Sequence, residues 1–210
     1  MTRLNDETER GIHSARCIEE QTVRNEFRAP ISGLRAVSLG LILSVLTIIY
    51  GQWMGIVFGA NEDFIKDMLK NSATEVLASA YKGDEAEMKA VIDKSWRYML
   101  RAHLHAGGMG TTAFAFILYL GLTRPTGWLT RVTGAALGAG GLGYSIYWML
   151  AGFRAPGMGD TSAAKDSLEW LAVPSSGMFV IASLVVFGLM IAQLTCLSAG
   201  RREDPSVRPD

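Results

Sequence analysis

The chain has 210 residues, 49% of them hydrophobic, and its 20 basic and 20 acidic side chains cancel to a net charge of zero. Without a basic field to gather phosphates, a nucleic-acid partner is excluded. Charge is also kept out of four long apolar stretches, at 36–60, 104–122, 132–153 and 168–197, the last holding only Glu169 near its start. A bilayer core takes about 20 apolar residues at helical rise, and inside lipid each such segment must satisfy its own backbone amides. The expectation is an all-α integral membrane protein with four transmembrane helices, its partners being membrane lipid and other membrane subunits. None of the four stretches carries an ionisable residue at mid-membrane, the usual mark of an ion or proton pathway, which argues against a transporter or channel.

Residues 1–35 form an N-terminal segment whose basic residues are all arginines, among them Arg3, Arg10, Arg24 and Arg35, and Pro30 interrupts any helix running into the membrane. About 35 mostly polar residues ahead of an apolar run of about 25 do not resemble a cleaved signal, so 36–60 reads as an uncleaved anchor. Arg124 and Arg131 lie between the second and third stretches, and Arg201, Arg202 and Arg208 lie in the tail at 198–210. By the positive-inside bias both termini are cytoplasmic, in a bacterial-type inner membrane. Cys17 and Cys196 then sit on the reducing side, where no structural disulfide is expected.

Between the first two stretches, residues 61–103 read as an extracytoplasmic helical hairpin. Asn61 is placed to cap a helix with apolar positions Phe64, Ile65, Met68, Leu69, Val76, Leu77 and Ala80. Lys82-Gly83 supplies a stop. Asp84, with Glu87 three residues on, starts a second helix whose stripe is Met88, Ile92, Trp96 and Met99. No proline separates it from the 104–122 stretch, so one helix of about 58 Å is expected over 84–122.

The third stretch contains Gly138-Ala139-Gly140-Gly141-Leu142-Gly143, which matches the dinucleotide pattern G-x-G-x-x-G in form only, because that pattern needs a preceding strand. Gly134-x-x-x-Gly138 is better read as a face for close helix packing. The fourth stretch contains Pro174, which frees the carbonyl of Trp170 and is expected to kink its helix.

Polar groups gather at one depth: Gln52 and Trp53, then Arg101, His103 and His105, then Tyr144, Tyr147, Trp148 and Arg154, then Glu169 and Trp170. Residues two apart on a helix point about 200° apart, so His103 and His105 do not share a face. His103 continues the Met88–Met99 stripe and is followed on its side by Gly107 and Gly110, whose missing side chains leave room for a macrocycle. His103 is therefore the candidate axial ligand of a haem b, with a methionine such as Met99, Met149, Met158 or Met178 as second ligand. Other readings are open. Copper would be held by Met99, His103, His105 and Met109. A quinone carbonyl would bond a histidine, with Arg101, Gln52 or Glu169 nearby. With no cofactor at all, the aromatic residues and histidines would simply suit the membrane interface.

The run His103-Leu104-His105-Ala106-Gly107-Gly108-Met109-Gly110 resembles the H-x-H-x-x-x-x-G helix opening of haem-binding membrane proteins related to the haem-copper oxidases. The likeness covers eight residues and implies a haem- or quinol-associated subunit. It does not imply an oxidase, since the histidines for a second haem and copper are missing. No complete catalytic set is present. The expected role is an integral subunit of a respiratory-type electron-transfer assembly, with a cofactor-free structural or assembly subunit as the alternative.

Overall fold

The computed structural model describes residues 32–123 and 127–203, so most of the N-terminal segment and the end of the tail lie outside the described residues, as does Cys17. The regular elements among the described residues are all helices: α1 (Ser38–Ala60), α2 (Glu62–Thr74), α3 (Glu85–Thr123), α4 (Trp128–Met158), α5 (Thr161–Asp166) and α6 (Glu169–Glu203). Residues 32–36 are already helical ahead of α1, and the Val37 N–H bonds the Gly33 carbonyl at 3.3 Å.

Three helices among the described residues, not four, are long and apolar enough to cross a bilayer: α1, α3 and residues Glu169–Thr195 of α6. This corrects the four-span expectation. The third apolar stretch lies in α4, whose 31 residues suffice in length but not in composition. Seven of them are glycine, and Thr130, Thr133, Ser145, Tyr144 and Tyr147 add polar groups. The physical reason is position. α4 touches every other helix, so its surface is presented to protein, where small residues serve better than bulky apolar ones. With three crossings, both termini on one face no longer follows from the span count.

The glycines of α4 meet three different neighbours. A Cβ on Gly138 would lie 2.7 Å from the Gly40 carbonyl oxygen of α1, and one on Gly140 would lie 2.7 Å from the Ser175 carbonyl oxygen of α6. A Cβ on Gly152 would meet Met99 and the Ser95 carbonyl of α3. Gly134 and Gly138 thus form the close-packing face expected of them. Hydroxyls buried in this core are satisfied within their own helices: Ser44 donates to Leu41 O, Thr47 to Leu43 O, Ser95 to Val91 O and Ser145 to Gly141 O.

The hairpin differs from its expectation in detail. Asn61 does not cap α2, because its side-chain amide donates back to the Val57 carbonyl at 3.4 Å. α2 ends at Thr74, and residues 75–80 form turns instead of helix. Its buried face is Ile65, Leu69 and Ala73, leaving Phe64 71% and Met68 39% exposed. Lys82 (φ 52) and Gly83 (φ 82) take left-handed conformations, and the Gly83 N–H reaches back to Leu77 O at 2.9 Å. Asp84 caps α3 as expected, its Oδ1 accepting from the amides of Ala86 (2.9 Å) and Glu87 (3.0 Å). α3 then runs unbroken for 39 residues. The turn is fastened to the bundle by Tyr81, which is buried and donates its hydroxyl to the Pro156 carbonyl at 2.8 Å near the end of α4.

Two outcomes follow for stability. Gly138→Ala destabilises the protein by about 1–3 kcal/mol, because the new methyl group meets backbone that cannot yield freely. Gly59→Ala, in open space on α1, does not; thermal unfolding in detergent compares the two. Burial, and then the charge of Glu87, raises the Tyr81 phenol above its ordinary value near 10. The folded state therefore holds this proton more tightly, and stability declines as pH rises past about 10. Tyr81→Phe costs about 1 kcal/mol at neutral pH and flattens that alkaline decline, as denaturation measured across pH will show.

Candidate functional site

α3 places its two histidines against different helices. His103 faces α1, its Nδ1 2.8 Å from the Gly51 carbonyl oxygen and its ring against Gly55. A carbonyl can only accept, so Nδ1 carries the proton and Nε2 is left as the basic nitrogen. His105 faces α4. Its ring meets Tyr144 edge-on, with centroids 5.1 Å apart, and lies over Trp148 at 6.2 Å and 25°.

Arg101 joins the second group, with its guanidinium carbon 5.1 Å from the Trp148 ring centre and 5.7 Å from that of Tyr98. Tyr98 and Tyr147 complete a continuous set of ring contacts, their centroids 5.0 and 5.1 Å from the Trp148 ring. Trp148 Nε1 is buried and has no hydrogen-bond partner among the described residues.

The remaining expected residues do not gather round His103. The space beside Gly110 is filled by α1: a Cβ there would lie 2.9 Å from the Ile48 side chain and 3.1 Å from its backbone nitrogen. Gly107 has nothing within 4 Å of that position, so of these two glycines it is the one with open space beside it. Met99 is fully buried, and its side chain is wedged on Gly152 of α4. Met109 lies beside Gly141 of α4. Of the four ligands proposed for copper, His103 thus turns to α1, while Met99, His105 and Met109 meet α4 at three different levels, Gly152, Trp148 and Gly141. No group of three or more His, Cys, Asp or Glu side chains able to hold a metal occurs among the described residues. Of the other polar groups at this depth, Trp53 and Trp170 are 61% and 70% exposed, and Arg154 donates to Ser167 Oγ at 3.0 Å.

The sequence reading had not singled out the α1 residues that hold His103. Their signal was present in Gly51-x-x-x-Gly55-x-x-x-Gly59, a small-residue repeat at helical spacing that lets α3 and its imidazole come close. A Cβ on Gly51 would meet Ala106 and Gly107 at 3.0 Å, and one on Gly55 would meet His103 Cε1 at 2.8 Å.

The arrangement around Trp148 can be tested by a double-mutant cycle. Arg101→Met removes the cation over the rings and lowers stability by about 0.5–1 kcal/mol. In a Trp148→Leu background the same change costs markedly less, since most of the coupling is to that ring. Neither a family model, nor a curated protein, nor a solved structure matches this chain.

Proposed function

We propose that the protein is a structural or assembly subunit of a membrane complex, and that the exposed face of α3 is where a neighbouring transmembrane helix packs. One contrast carries this reading. The exposed residues of α1 include Leu39, Ile42, Leu46 and Ile49, and those of α6 include Val180, Ile181, Leu184 and Phe187, all bulky side chains suited to lipid. Between Leu104 and Leu122, both exposed, the exposed residues of α3 are instead Gly108, Thr111, Thr112 and Ala115. Gly108 has nothing within 4 Å of its Cβ position, and Thr111 satisfies its hydroxyl on the Gly107 carbonyl at 2.8 Å. Small residues gain nothing from lipid, but they let a second helix backbone approach closely.

Substitution of Gly108 or Thr112 by leucine tests this without disturbing the core, since both side chains point away from the bundle. In native gels of gently solubilised membranes, either change should convert a larger assembly into the free chain. A wild-type chain that is already a lone monomer under those conditions, or leucine variants that stay assembled, would overturn the reading.

Haem ligation by His103 is a second reading, favoured by one observation: the Gly51 carbonyl fixes the Nδ1–H tautomer that metal-bound histidines commonly adopt. Met99 and Gly110 do not fit the arrangement expected of them, so His103 would hold the iron beside Gly107 without Met99. A bound haem b would supply electron transfer. The purified complex should then show a Soret band that shifts with dithionite and disappears in His103→Ala. A colourless complex, or a band indifferent to that change, would end this reading and leave the first untouched.

A further inference from the structure

We infer that the helix packing on the exposed face of α3 belongs to a different polypeptide and carries acidic side chains opposite Lys94, Arg97 and Arg101. The inference rests on the packing role proposed for that face and adds the chemistry of what packs there. Lys94, Arg97 and Arg101 are exposed on α3, and the same steps of three and four residues lead on through Leu104, Gly108, Thr111 and Ala115, which are exposed too. That alternation runs for three heptads without a break. It is the spacing of a seam along which one long helix lies in a left-handed supercoil. The small residues proposed as a packing face are thus one part of a longer surface, and the other part is cationic.

Contacts with α1 fix the level of the cations. Trp96 packs on Phe58 with 5.3 Å between ring centres, and His103 lies against Gly55. Arg101 falls between those two levels, so it stands beside the last turns of a helix able to cross the bilayer. An arginine facing lipid alone at that level is costly. Its guanidinium stacks on Tyr98 and Trp148, whose ring faces supply no carboxylate. None of the three cations forms a salt bridge among the described residues. From Asp93 to Thr123, α3 carries these three cations and one acid, Asp93, which flanks the seam and lines the groove toward α2.

The charge rules out a pair of α3 helices from two copies of this chain. Copies share one orientation in a membrane, so a twofold pair through α3 would be parallel and would set each seam residue against itself. Arg101 would meet Arg101, and Lys94 would meet Lys94, which is repulsive. A lipid phosphate matches an arginine but gains nothing from Gly108, Thr111 and Ala115 in line with it. A foreign helix satisfies both halves of the seam. Its backbone closes on the small residues, and its Asp or Glu side chains, nearer the hairpin, take the guanidinium forks of Arg97 and Arg101 in paired hydrogen bonds.

A photo-crosslinker at Leu104 of the full-length chain, in native membranes, tests this. It should join a different polypeptide at an apolar segment with Asp or Glu within about two turns of the joined residue, on the hairpin side. The double variant Lys94→Glu/Arg97→Glu, at two positions not stacked on the Trp148 ring, should cut the assembled fraction on native gels about tenfold or more. Lys94→Arg/Arg97→Lys should assemble as wild type, and reversing the partner's acids to lysine should restore assembly of the Glu variant. A crosslink to lipid alone or to a second copy of this chain, a joined segment with no acid at that level, or a Glu variant that stays assembled would overturn the inference. If Gly108→Leu releases the chain and the Glu variant does not, this inference falls and the packing role stands. If Gly108→Leu leaves the assembly whole, the packing role itself fails.

Discussion

Backbone-to-backbone contact along α4 is the constraint on which the rest of the fold depends. Gly40 and Gly138, Gly140 and Ser175, and Gly152 and Ser95 each bring two helices to a separation that no added side chain allows. In lipid there is no hydrophobic force pressing helices together, so association relies on such close van der Waals fit. Spreading the glycines over three faces lets one helix hold α1, α3 and α6 at once. The same feature lowers the apolar content of α4 below what a lipid-facing helix needs.

That central packing also decides what the polar residues can do. Once α1 and α3 are drawn together at Gly51, Gly55 and Gly110, His103 is caught between them and bonded to Gly51. Once α3 and α4 are drawn together at Gly152, Met99 is spent as a filler, and Arg101 and His105 settle on the Trp148 rings. Most residues marked as cofactor ligands are thus already committed to helix contacts. What stays uncommitted is the small-residue surface of α3 and the groove between α2 and the first half of α3.

The hairpin is anchored at both ends by different chemistry. Near the membrane, Phe58, Ile65, Leu69 and Met99 form one apolar cluster, and at the far end Tyr81, Ala73, Val91 and Ala155 form another, locked by the Tyr81 hydroxyl on Pro156. Between the two, the charged groove stays open.

Helical class, the unbroken length of α3 and the Asp84 cap were legible in the sequence, because apolar runs, capping residues and the absence of proline are local signals. So was the packing role of Gly134 and Gly138. The number of membrane-crossing helices was not, since a run of glycine and alanine looks apolar in sequence whether it meets lipid or protein. The opposite directions of His103 and His105 followed from helix geometry alone. Only the tertiary structure decided that Gly110 is filled by Ile48, that Met99 turns to Gly152, and that His103 bonds the Gly51 carbonyl. Those facts depend on which helices approach which faces, and no spacing within one helix carries that information.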